Sequence, residues 1–240
     1  MKLASWNIRG VNKPFKQQEV RSLVFSNNIS LFGLNETRVH QDNCSRVAEA
    51  LLKGWKVLVN YNYHPNGRIC VFWNSNLLDV YEVFVSAQMV HVQVTIIQKQ
   101  VRFLASFIYG LHTRREQYVL WNSLNHISLS ASHAPWIVLG DVSVVRRPEE
   151  RFGGEMSWAN SSKDLERCCY FAQLEDLRYS GQQFTWSKRE GHSFIARKMD
   201  RVLVNPMWMT VFDGLEARFL EPCVSYHSPM VVQLGLALHH

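Results

Sequence analysis

Residues 197–208 read RKMDRVLVNPMW, with an acidic residue, Asp200, set directly before a short apolar run. The run has the make-up of a buried strand, so the carboxylate sits where a strand begins. Similar placements recur along the chain: Asn7 follows LASW, Glu36 follows SLFGLN, Tyr109 follows FLASFI and Asp141 follows WIVLG. Each taken alone is explained by turn chemistry, because acidic and amide residues commonly close strands. Strand ends in a layered fold nevertheless converge on one edge. Carboxylates gathered there repel one another unless a cation lies among them, and all-oxygen donors suit Mg2+ or Mn2+.

Working outward, strand patterns cover 3–8, 30–35, 55–60, 68–73, 89–98, 101–109, 136–139, 195–204 and 230–234. The alternating stretch MVHVQVTIIQ meets the next run across Lys99 and Gln100, a candidate two-residue hairpin turn. Helical spacing appears around Val20, Leu23 and Val24, around Val47, Leu51 and Leu52 ahead of Gly54, and over 116–129. Residues 146–162 follow neither period and read as a surface loop. No linker or internal repeat divides the chain. The expectation is a single domain over 1–236 with two sheets covered by helices, and a tail at 237–240 that is partly a candidate tag remnant.

Composition narrows the classes. With 240 residues and 47% of them hydrophobic, the chain can bury a large core and is not of disordered or fibrous type. Lys and Arg outnumber Asp and Glu by 26 to 20, which permits a polyanionic partner, although the excess is spread along the chain. Five cysteines without C-x-x-C spacing suggest neither a zinc site nor a disulfide framework, and point to a reducing, intracellular setting in nucleus or cytoplasm. The N-terminal MKLASWNIRG lacks a signal-peptide core, and no stretch approaches the ~20 apolar residues of a membrane span.

The segments around the polar strand ends are SWNIRG, LNETR, FIYG, VLGD, RKMDRVLVN and SYHSPMVV, in that order. Together they resemble the endonuclease/exonuclease/phosphatase superfamily, whose members look like DNase I and the AP endonucleases. SWNIRGVNKPFKQQEV, EERFGGEMSW, YSGQQFTWS and RKMDRVLVNPMW make the chain most similar to the endonuclease domain of plant LINE-type non-LTR retrotransposons. The resemblance spans about residues 1–236, without the element's reverse-transcriptase region. It implies a DNase I-like four-layer α/β sandwich: two packed, mostly antiparallel β-sheets flanked by helices.

The resemblance also implies roles. Glu36, helped by Asn7, would hold the Mg2+ or Mn2+ ion; Tyr109 would touch the scissile phosphate, and His112, three residues on, would stand where the family often has an asparagine. Asp141 would orient or deprotonate the attacking water, and Asp200 would orient His227. Two positions depart from the family. Gly140-Asp141-Val142-Ser143 has serine where the family has a water- and phosphate-binding asparagine, leaving one hydroxyl in place of two amide N–H groups. Ser225-Tyr226-His227 has a neutral phenol where the family has a carboxylate, and a larger ring is expected to enter a crowded site.

Loss of one preorganised hydrogen bond to developing charge typically costs ~10²–10³ in rate, so, beside a decaying retroelement copy that folds without a selected role, the two substitutions leave two functional readings open. One is a divalent-metal-dependent phosphodiesterase or endonuclease of retroelement origin, weakened by Ser143 and Tyr226 and acting on nucleic acid, DNA first. The other is a domesticated, catalytically silent module that binds nucleic acid or a protein partner. Arg197, Lys198 and Arg201 flank Asp200 as candidate phosphate contacts, although strand alternation sends some of them elsewhere. Trp73, Trp158 and Trp186 are candidates for stacking on bases or for packing.

Overall fold

Strand β1 (Lys2–Asn7) and strand β2 (Ile29–Asn35) run parallel and are joined by helix α1 (Pro14–Ser26). Pro14 opens that helix where a missing N–H costs nothing. Helix α2 (Cys44–Leu51) leads to the antiparallel pair β3 (Lys56–Val59) and β4 (Ile69–Trp73). A meander follows, made of β5 (Leu78–Val85), β6 (Met89–Ile96) and β7 (Val101–Tyr109). Helix α3 (Arg114–Ala131) then crosses to β8 (Trp136–Asp141), parallel to β7. A reciprocal cap between Thr113 and Glu116 starts α3.

The second half of the chain contributes β9 (Arg151–Phe152), helix α4 (Asn160–Ala172), β10 (Glu175–Asp176) and β11 (Tyr179–Gly181). It continues with β12 (Trp186–Glu190), β13 (Ser193–Arg197), β14 (Asp200–Val204), helix α5 (Pro206–Val211), β15 (Ala217–Phe219) and β16 (Met230–Gln233). The computed structural model describes residues 1–64, 67–154, 160–191, 193–212 and 216–235. The expected tail at 237–240, and Trp158, lie outside the described residues.

One sheet has the order β11-β15-β16-β1-β2-β4-β3 and the other β10-β14-β8-β7-β6-β5. Their facing sides share a core that includes Leu3, Leu31, Val71, Val92, Phe107 and Leu139. The outer side of the first sheet packs on α1 and α2 through Trp6, Phe32, Val20 and Val47, and that of the second on α3 and α4 through Val138, Leu124 and Leu165. The result is the expected four-layer α/β sandwich with two mixed, mostly antiparallel sheets. Gly33 fits the sheets together, since a Cβ there would lie 2.1 Å from the Phe107 ring.

Several local expectations change. The single strand expected over 195–204 is two strands in different sheets, broken at Lys198 and Met199. Their amides turn aside, the Lys198 N–H donating to the Glu150 carbonyl and the Met199 N–H to Thr185 Oγ1. β13 instead joins β12 and β9 in a small third sheet. The β6–β7 connection is a four-residue loop, because the Lys99 and Gln100 amides both return to the Ile96 carbonyl, with Gln100 in the left-handed region (φ 54°). Residues 78–85 form an edge strand whose outer positions are largely exposed, so it lacked the apolar run of a buried strand. Part of the expected loop at 146–162 is anchored: Arg146 reaches Asp176 at 3.1 Å, and α4 begins at Asn160.

Candidate active site

Register brings the polar strand ends together. Tyr109 lies beside Asp141 in the parallel β7/β8 pair, and Asp141 lies beside Asp200 in the antiparallel β8/β14 pair. A row of three polar residues therefore crosses the end of the six-stranded sheet. In the facing sheet Asn7 stands beside Asn35, and Glu36 follows directly. Gly140 permits the row: its φ is +146°, and a Cβ there would lie 2.0 Å from the Ile108 carbonyl oxygen.

Asn7 Nδ2 donates to Asp141 Oδ2 at 2.9 Å, linking the sheets at their edge. His227 enters from the loop before β16. Trp6 Nε1 donates to its carbonyl at 2.9 Å, and the chain alongside is held by Ser225 Oγ donating to the Asn7 carbonyl at 2.6 Å and by the Ser228 N–H donating to the Thr185 carbonyl at 2.7 Å. Its ring Nδ1 then lies 2.9 Å from Asp200 Oδ2, and Nε2 3.8 Å from Asp141 Oδ2. Thr185 Oγ1 steadies Asp200 by accepting its N–H at 2.8 Å. Asp141, Asp200 and His227 are buried, with ligating atoms all within 4.8 Å of one another.

Burial of these charges shifts their titration. Desolvation pushes the Asp141 carboxyl up to about 6, and Asp200 adds to this, while His227, the Ser143 N–H and Asn7 partly offset it. Burial works to keep His227 neutral, but Asp200, Asp141 and the Asp200 hydrogen bond outweigh it and raise the imidazole to about 9. Tyr109 is pushed up to about 12 by burial and then by the charges of Glu36 and Asp141, so its phenol stays protonated at neutral pH. Among the described residues, Asp200 Oδ1 is buried without a hydrogen-bond partner.

Glu36 stands at the opening, its side chain 14% exposed. Oε1 is clamped by Arg38 Nε at 3.0 Å and by the second Arg38 nitrogen, whereas Oε2 has Arg9 Nε at 3.9 Å. Arg9, Glu36, Arg38 and Ser143 make up four of the seven described non-glycine residues at positive φ. Such backbone costs energy and persists where surroundings enforce it. Ser143 is caught locally, its N–H donating to Asp141 Oδ1 at 2.7 Å and its hydroxyl to the same oxygen at 3.2 Å.

The donor set suits a divalent cation. Three carboxylates and a carboxamide, without a thiol, are hard oxygen ligands, and the unpartnered Asp200 Oδ1 is an atom that a metal-bound water would satisfy. The expected metal pair is split between roles: Asn7 Oδ1 accepts the Arg9 N–H at 3.2 Å and its Nδ2 serves Asp141, while Glu36 Oε1 is held by Arg38 and Oε2 lies 3.9 Å from Arg9 Nε.

Other expected residues lie farther out. His112 is exposed on the loop between β7 and α3. Arg197 is half-buried on β13, with its guanidinium 5.7 Å from the Trp186 ring centroid; the Trp186 backbone in turn bridges that of His227. The Tyr226 residue, expected to crowd the site, is instead 49% exposed, while the neighbouring His227 is 4% exposed. Lys198 and Arg201, expected candidates for phosphate contact, are buried. Arg201 pairs with Asp176 at 3.0 Å and with Glu150, and the Lys198 ammonium lies 3.5 Å from the Tyr179 ring centroid. Trp73 is in the core between the sheets. Arg9 and Arg38 lie within SWNIRG and LNETR, where their residue type alone does not set them apart; Arg68, 5.3 Å from the Tyr109 ring centroid, has no sequence signal.

The fold and the position of this cluster define a DNase I-like α/β sandwich. Among solved structures, the chain is similar to the endonuclease domain of TRAS1, a telomere-specific non-LTR retrotransposon, with TM-score 0.75, 12% identity and 98% of each chain covered. It is also similar to the AP endonuclease LMAP of Leishmania major, with TM-score 0.73, 12% identity and coverage of 96% of this chain and 86% of that one. A third is the mannosyl-6-phosphatase Bt3783 of Bacteroides thetaiotaomicron, with TM-score 0.65, 14% identity and coverage of 98% and 100%. No protein-family model and no curated protein matches the chain. Among the described residues, no helix is long and apolar enough to cross a membrane.

Proposed function

We propose that this chain is a divalent-metal-dependent phosphodiester hydrolase acting on nucleic acid, DNA first, from a nucleus or cytoplasm. The observation that carries the reading is the Tyr109–Asp141–Asp200 row meeting Asn7 and His227 at one edge of two sheets. The motifs around those residues support the finer assignment, a domain spanning 1–236 derived from a plant LINE-type retroelement.

Glu36 through Oε2, with Asn7, would hold Mg2+ or Mn2+, which when bound neutralises charge on the scissile phosphate. Asp141, ionised above about 6, takes the proton of the attacking water, and Asn7 Nδ2 fixes the carboxylate that does so. His227 is cationic at neutral pH; Asp200 orients it through Nδ1, which leaves Nε2 to donate to a phosphate oxygen. Tyr109 donates its phenol proton to the same group. His112 and Arg197 are assigned outer contacts to the substrate strand.

Purified protein with Mg2+ or Mn2+ should nick supercoiled plasmid, and a Glu36→Ala variant should not. Equal traces from the two proteins would sink the reading. One observation favours the alternative, a silent module binding nucleic acid or a protein. The Ser143 hydroxyl is spent on Asp141 at 3.2 Å and so gives no donor to the phosphate. Under that alternative the Glu36→Ala protein keeps salt-dependent DNA binding while neither protein cuts.

A further inference from the structure

Tyr226 is the substituted residue that the hydrolytic reading does not use. The residue is 49% exposed, yet its backbone is pinned on both sides. The Tyr226 carbonyl accepts from the Ser187 N–H at 3.1 Å, and the flanking Ser225 Oγ accepts from the His227 N–H at 3.2 Å. The Arg9 guanidinium carbon lies 5.0 Å from the ring centroid. Arg9 is itself fixed: its φ is 50°, its N–H donates to Asn7 Oδ1 at 3.2 Å, and its Nε lies 3.9 Å from Glu36 Oε2. One arginine therefore touches both the exposed ring and the carboxylate at the opening of the site.

We propose that the Tyr226 ring, backed by Arg9, is a seat for an unpaired nucleobase at the Glu36 side of the site. The inference rests on the hydrolytic reading above and names its substrate class as single-stranded or locally unpaired nucleic acid. Every base has a flat π-face that stacks on an aromatic ring, and it offers that face only when unstacked from its own neighbours. A ring already held by its backbone and by a guanidinium loses little freedom on binding. The same guanidinium carries positive charge toward the adjoining phosphate. Arg9 bridges from the Tyr226 ring at 5.0 Å to Glu36 Oε2 at 3.9 Å, so a base on Tyr226 leaves its sugar-phosphate link at the Glu36 side of the site. In place of the carboxylate that the resemblance implies here, the phenol is uncharged at neutral pH and offers a flat face to a base.

The test uses single-stranded oligonucleotides carrying 2-aminopurine at successive positions, with the whole chain in EDTA to prevent cutting. Quenching at one position, absent in Tyr226→Ala and kept in Tyr226→Phe, is the expected result. Tyr226→Ala should also bind about tenfold more weakly, as loss of one stacked base implies, and a fully paired duplex should bind the two proteins equally. Unchanged quenching and affinity in Tyr226→Ala overturn the seat while leaving the hydrolytic reading standing. Failure of the unaltered chain to bind any oligonucleotide in a salt-dependent way overturns the seat and the nucleic-acid reading together.

Discussion

Asp200 and Arg201 are neighbours on β14, and each belongs to a different buried cluster. Asp200 faces Asp141 and His227, whereas Arg201 faces Asp176 and Glu150, with Lys198 close by and with Arg146, which also meets Glu166 at 3.5 Å. Among the described residues, both clusters leave polar atoms unpartnered, Asp200 Oδ1 in the first and the Nε atoms of Arg146 and Arg201 in the second. What separates them is charge balance. Around Arg201, burial works against the Asp176 carboxyl, but Arg201, Lys198 and Arg146 prevail and hold it below its ordinary range. Around Asp200, burial and the neighbouring carboxylate prevail and push Asp141 up. A buried cluster whose charges match is a brace; one left with uncompensated charge is poised to meet a cation or a substrate.

The sharpest way to break this contrast is to neutralise one member on each side. Asp141→Asn should lower nicking by ~10²–10⁴, the usual worth of a general base, while the melting temperature holds or rises, because a strained buried charge is removed. A variant that cuts as fast as the original chain removes Asp141 from the chemistry. Arg201→Ala should do the opposite. Stranding Asp176 and Glu150 without their shared cation should cost ~3–5 kcal/mol in denaturant unfolding, and a loss under about 1 kcal/mol would show that the network is no brace.

pH should sharpen the same comparison more gently. Rate should climb as Asp141 ionises near 6 and fall as His227 loses its proton near 9, giving a plateau between them. His227 has a folded pKa above its ordinary value, so its stabilising contribution is fully present below about 6.5 and is lost as pH rises through about 9. A His227→Gln protein should accordingly show a flatter melting temperature between those values. A parallel decline in both proteins would remove His227 from the linkage.

Much of this was legible in the sequence, for identifiable reasons. The central strands β1, β2, β4, β7 and β8 are buried along nearly their whole length, so their apolar runs stood out and their polar ends marked the site. Edge strand β5 is partly wet and lacked that signal. The break between β13 and β14 depends on amides that bond to Glu150 and Thr185, residues distant in sequence, and no local pattern encodes such partners. Asn7, Glu36, Tyr109, Asp141 and Asp200 stand out as polar residues at strand ends, but that placement alone fits turn chemistry; the motifs around them, and SYHSPMVV for His227, are what mark them as one set, by resemblance. The exposure of Tyr226, the clamp of Arg38 on Glu36 and the burial of Arg201 could not be named in advance, since they follow from which face of the backbone each residue takes after the sheets have packed.

The central claim is that the edge cluster is a phosphodiester-hydrolysing site weakened at two positions. Its most direct test is the Mg2+-dependent cleavage rate of Ser143→Asn combined with Tyr226→Asp, compared with the original chain. Asparagine tolerates the left-handed backbone at 143 (φ 53°) better than serine and restores amide donors, while the aspartate returns negative charge to the opening. The account predicts a gain of about a hundredfold or more, in line with a regained preorganised hydrogen bond, abolished by Glu36→Ala. No gain, or a gain that survives Glu36→Ala, would contradict it.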